Sequence, residues 1–165
     1  MEVISEFSRL VDAIASVIPG ANGGLGNGAS SEEISSLERE IGFELPDQVR
    51  KLLQTHNGQL GATPVFGVYR FLSIEGIKRV RLNHGPIFVE ENRFWLPVGS
   101  SDPFDLVLDC EPDSKTNRGV FTYEAETHAG PTIAPTLAEF FALSANRVST
   151  GHYRKLLIVL YIQYE

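Results

Sequence analysis

Apolar residues recur at intervals of three and four at the start of the chain: Val3, Ile4, Phe7, Leu10, Val11, Ile14, Val17 and Ile18. That spacing predicts an amphipathic helix with one apolar stripe, which needs a surface to pack on. Pro19 and Gly20 end it, and the next segment, PGANGGLGNGAS, holds five glycines and two asparagines, the composition of a flexible link. Ser30 and Glu33 then form a capping box at the head of a second helix. Ile34, Leu37 and Ile41 make its buried stripe, and Gly42 suits the left-handed position past its end. A third helix starts at Pro46 with Asp47 placed well against the helix dipole. It carries Val49, Leu52 and Leu53 on one face and closes at His56, Asn57 and Gly58.

From Thr63 onward the pattern changes to β-branched and aromatic residues broken by Gly, Pro and Asn. Strands are predicted at VFGVYRFL (65–72), IFVEE (87–91), RFWLPV (93–98), DLVLDC (105–110) and GVFTYEA (119–125). Alternation in DLVLDC puts Leu106, Leu108 and Cys110 on one face and Asp105, Val107 and Asp109 on the other, as in a sheet covered on one side. Short helices at 73–81 and 135–143, the second capped by Thr136, are placed to cover it. The terminal RKLLIVLYIQYE fits either a buried strand or the end of a helix, since a short continuous apolar run has no diagnostic period. The expected fold is α+β, with a mixed, mainly antiparallel sheet covered by helices.

The 165 residues are 42% hydrophobic and 21% charged, ordinary for a chain that folds by burial. Cys110 is the only cysteine, so no internal disulfide forms, and a reducing cytoplasmic setting is expected. Glu2, Glu6, Arg9 and Asp12 interrupt the first helix in a way a secretory signal does not tolerate. The longest apolar run, Leu156 to Ile162, falls far short of the roughly 20 residues a bilayer requires. A net charge of −7 repels nucleic-acid phosphates, so neither nucleic acid nor membrane is an expected partner, whereas a basic protein is.

No reaction chemistry emerges from the spacing. The four histidines, 56, 84, 128 and 152, stand far apart, and no metal or cofactor site is expected. His56 reads as a capping residue and His84 as part of the turn NHGP. The glycines before Ser30 follow a helix and lack the lysine of a phosphate loop. Asp105 and Asp109, about 13 Å apart by strand rise, are too distant to share a proton. Cys110 on its apolar face reads as an inert thiol. No catalytic residue is assigned.

Between Ser101 and Glu126 the acids Asp102, Asp105, Asp109, Glu111, Asp113, Glu124 and Glu126 face only Lys115 and Arg118. Such a stretch is either a solvated face or a lure for a cationic partner. Asp102, Asp105, Glu111, Asp113, Glu124 and Glu126 are the candidate rim of a partner-binding surface. Phe104 and Tyr123 are its candidate aromatic anchors; the core is the alternative place for either and the favoured one for Tyr123.

Three stretches follow one another in a fixed order. The first is SSEEISSLEREIGFELPDQVRKLLQTHNGQ, with Leu45–Pro46 and His56–Asn57–Gly58. The second is FLSIEGI, and the third is Trp95 with Pro97, Val98 and Gly99, followed by Leu108–Asp109 and Pro112. Together they resemble the SUKH superfamily, which includes fungal Smi/Knr cell-wall regulators and many bacterial toxin-immunity proteins. The glycine-rich turn the family often shows before its Leu-Asp strand is replaced here by Ser101–Asp105, so that turn is expected to be reshaped. The resemblance covers residues 30–143; the first helix and link, residues 1–28, lie outside it, and a Smi/Knr-like domain is expected over 29–165. It also implies an immunity protein that binds and neutralises a cognate toxin, such as a basic nuclease. The alternatives are an intracellular scaffold or regulatory module and, third, a hydrolase of a small substrate.

Overall fold

The computed structural model describes residues 2–113 and 115–151. Five helices, α1 (Val3–Ala15), α2 (Ser31–Ile41), α3 (Asp47–Thr55), α4 (Ile74–His84) and α5 (Leu137–Ser149), surround a five-stranded sheet. The strands are β1 (Arg70–Phe71), β2 (Trp95–Ser101), β3 (Phe104–Asp109), β4 (Val120–Glu124) and β5 (His128–Ala134). They lie in sequence order and every pairing is antiparallel, which makes the fold α+β as the hydrophobic pattern implies.

Helix starts follow local chemistry. Ser30 Oγ accepts from the Glu33 amide at 3.2 Å while the Ser30 amide donates to the Glu33 carboxylate at 2.7 Å, closing the capping box. Hydrogen bonding to the carboxylate, from the Ser30 amide first and then from the Ser30 side chain, holds the Glu33 carboxyl below the usual carboxylate range. Ser73 caps α4 through the Gly76 amide, and Thr136 caps α5 through the Glu139 amide, each at 3.2 Å. α5 runs on to Ser149, beyond the 135–143 its apolar residues outline.

One face of the sheet meets the main core. Leu96, Val98, Leu106, Leu108 and Val120 pack there against the stripes of α1, α2, α3 and α5. At its centre Phe7, Phe66 and Phe141 pack in tilted and edge-to-face contacts with ring centroids 4.7–5.7 Å apart. Each fully buried phenyl ring stabilises the fold by about 1.5–3 kcal/mol relative to exposure.

The glycine-rich stretch is fastened rather than loose. Leu25 bridges Gln59, the Gly26 amide donates to the Gly58 carbonyl at 2.9 Å, and the Asn57 amide donates to the Asn27 carbonyl at 2.8 Å. A side chain at Gly28 would put its Cβ 1.8 Å from the Gln54 carbonyl oxygen. Close approach of two backbones, not freedom, requires glycine there.

Two predicted strands are replaced by turns. Phe66 and Tyr69 exchange backbone hydrogen bonds at 3.0 and 3.2 Å around Gly67, whose φ of +71° reverses the chain, so only Arg70 and Phe71 of the 65–72 run enter the sheet. IFVEE forms a π-helical turn, Ile87–Glu91, because Pro86 enters at helical angles and the Asn92 amide reaches back to the Ile87 carbonyl. The segment RKLLIVLYIQYE lies outside the described residues.

Candidate functional site

The motif His56–Asn57–Gly58 ties three parts of the chain together. His56 Nδ1 meets the Gly26 carbonyl at 3.0 Å, and Asn57 Oδ1 accepts from the Ile74 amide at 2.8 Å. Gly58 has a φ of +76°, and a Cβ there would lie 2.4 Å from the Ser73 nitrogen. These residues set where α4 begins. Arg81, buried on α4, then donates to the Trp95 and Arg93 carbonyls and lies over the Phe43 ring, fixing the helix against β2. Burial lowers the pKa of its guanidinium, which finds carbonyl acceptors there.

Past Gly85 the chain covers the second face of the sheet. Phe88, Val107, Phe121 and Tyr123 form a small separate core, with Ile87, Trp95 and Ala129 packed against it. The sheet is therefore covered on both sides along its middle strands, and Val107, between two aspartates in the sequence, points into this cluster. At its margin His84 Nε2 lies 2.6 Å from Asp105 Oδ2, with the imidazole stacked on Phe88 and edge-on to Tyr123. His84 is thus the last residue of a helix holding a carboxylate rather than a plain turn residue. Burial, followed by the charges of Glu91 and Asp105, raises the pKa of the Tyr123 hydroxyl, whose oxygen has no hydrogen-bond partner among the described residues.

The candidate rim residues fall into two groups. Asp102 sits on the β2–β3 turn and Phe104 opens β3 beside it, and Glu124 and Glu126 border the β4–β5 turn. The register Asp105↔Tyr123 brings these turns to the same end of the sheet. Phe104 is 43% exposed and Asp102 and Glu126 are exposed, while Glu124 is half-buried and accepts from the Thr127 hydroxyl. Asp105 is only 8% exposed and is occupied by His84, so it shapes this end from beneath instead of meeting a partner.

Glu111 and Asp113 belong to the opposite end, one β3 length away, roughly 17 Å at about 3.4 Å per residue. Asp113 closes a turn through the Lys115 amide at 2.9 Å. Asp109, 5% exposed, accepts from the Glu111 and Arg118 amides at 2.9 and 3.0 Å and so organises the β3–β4 loop. The seven acids of 101–126 are therefore not one continuous surface.

Burial and then Asp109 push the pKa of the Cys110 thiol far up, as its packing beside the main core implies. Among the described residues no group of three His, Cys, Asp or Glu side chains converges as a metal site requires. None of the helices of the described residues is long and apolar enough to cross a membrane.

The signal for His84 was present but ambiguous. A histidine in a last helical turn is also what the helix dipole alone favours, and only the β3 register reveals its partner. No curated protein matches the chain. The model of the SMI1 / KNR4 family (SUKH-1) matches residues 28–143, the stretch that carries the His56–Gly58 tie, α4 and the whole sheet, and the chain belongs to that family.

Proposed function

We propose that this chain is an immunity protein: it binds a cognate toxin in the cytoplasm and blocks it stoichiometrically, without performing a reaction. The supporting observation is the placement of Asp102, Phe104, Glu124 and Glu126 at one end of the sheet, an acidic rim around an exposed ring. The neighbouring carboxylates Asp105 and Asp109 are consumed internally. A basic toxin, such as a nuclease with a cationic groove, is steered to such a rim, and its affinity then rests on a few anchors such as Phe104. Family membership supports a binding role, since the family contains immunity proteins and regulatory modules.

The test is co-expression with the product of the adjacent gene. The expected result is that the neighbour arrests growth alone, that this chain restores growth, and that the two co-purify in a one-to-one complex. A neighbour that is harmless and does not bind would remove the immunity reading.

A further inference from the structure

Between α4 and the sheet edge formed by β1 and the end of β2 lies a groove of about 410 Å³. Phe71, Leu72 and Val80 give it an apolar floor, and Arg70, Arg79 and Asp102 stand among its polar walls. Arg79 has no hydrogen bond or ion pair with any described residue. Glu75, one turn before it, is paired instead with Lys78 at 3.5 Å, and Lys78 also holds Glu40 at 2.8 Å. Among the described residues the one side-chain hydrogen bond of Arg70 is a long one, 3.4 Å from Nη2 to the Gly61 carbonyl. In a chain with 21 acidic and 14 basic residues, two arginines line one cavity and neither is matched to a carboxylate of the described residues. Asp102 shares the cavity yet lies within ion-pair distance of neither.

A planar guanidinium fork complements an oxyanion, so the ligand chemistry is carboxylate or phosphate. Two features favour the carboxylate. Asp102 on the same cavity wall and the net charge of −7 penalise a phosphate of nearly two charges more than a single carboxylate. The apolar floor suits the methylenes of a glutamate, and Asp102 suits a cation beside it. We propose that this groove receives a glutamate side chain of the protein partner, presented next to a lysine or arginine. It lies against the acidic end of the sheet through Asp102, so a largely basic partner would be steered by the rim and oriented by this one acidic anchor. The inference rests on reading the chain as a binder of a protein.

Nitrogen-15 NMR titration of the intact chain tests it with three probes: a blocked Gly-Glu-Lys-Gly peptide, the same peptide with Gln for Glu, and inorganic phosphate. The glutamate peptide is expected to shift the amides of Arg70, Arg79, Ser100 and Ser101 saturably. Binding should weaken at least about tenfold with the glutamine peptide and in an Arg70→Ala/Arg79→Ala variant. Phosphate is expected to bind more weakly than the glutamate peptide and to gain when Asp102→Asn removes the opposing charge. The single variant Arg79→Gln gives the same comparison if the double variant loses its dispersed spectrum. Absence of saturable shifts in the groove, equal binding of the glutamine peptide, or tighter binding of phosphate would each overturn the assignment. Rescue by this chain of growth arrested by the neighbouring gene's product is read separately, so a failed groove leaves the immunity reading standing, and the reverse.

Discussion

The two faces of the sheet are held by different physics. On one, the apolar stripes of the helices converge with a phenylalanine cluster, so each side chain has many apolar neighbours and its loss is felt by the whole fold. On the other, four buried side chains and one His–Asp pair hold a single short segment, residues 85–94. Redundant apolar packing gives a cooperative core, whereas a few contacts pinned by a polar pair give a cover with its own, lower, local stability. The acidic end of the sheet stands beside that cover, because Asp105 anchors it from beneath while Phe104, its chain neighbour, faces solvent.

The contrast is broken most severely from the main core. Phe141→Ala is expected to cost about 3–5 kcal/mol in global stability by urea denaturation, since a fully buried ring among Phe7, Phe66 and Phe140 leaves a cavity that the sheet cannot collapse into. On the second face, His84→Ala is expected to cost about 2–3 kcal/mol, because Asp105 stays buried without its partner. The His84→Ala/Asp105→Ala pair should fall short of the sum of the single changes by at least about 1 kcal/mol. Additive losses would show that the two side chains are independent. Hydrogen exchange in His84→Ala should rise most in residues 85–94, while the amides of α1 and α5 should lose no more protection than the global change in stability accounts for.

The smallest effect sharpens the comparison from the other side. Tyr123→Phe removes a buried hydroxyl that lacks a partner among the described residues, so stability should hold or rise by up to about 1 kcal/mol. Because burial raises the folded-state pKa of Tyr123, the unfolded chain releases that proton first as pH climbs past about 10. The wild type should therefore lose stability through that range, and Tyr123→Phe should lack this component in a pH series of urea midpoints. A loss of 1 kcal/mol or more at neutral pH would mean that the hydroxyl has a partner.

What the sequence disclosed divides along the same line. The helices of the main core were legible because period, cap and terminator agree, as at Ser30, Glu33 and Gly42. The second face was hidden by short-range ambiguity: IFVEE has strand-like composition, and Pro86 with the i→i+5 closure turns it into a helical loop. Val107 between Asp105 and Asp109 was the available sign that this side of β3 is not simply wet. The glycines before Ser30 were misread because close backbone packing and flexibility demand the same residue. At the candidate site the acidic composition was legible, but its division between two ends of the sheet depends on strand register, which spacing along the chain does not carry.

The central claim is that the hairpin end carrying Asp102, Phe104, Glu124 and Glu126 meets a basic protein partner. Its most direct test is the association rate of the co-purified partner, by stopped flow at low and high salt, with wild type and with Asp102→Lys/Glu124→Lys/Glu126→Lys. The account expects the variant to associate at least about tenfold more slowly at low salt, with most of the salt dependence gone. An unchanged rate and an unchanged salt slope would contradict it.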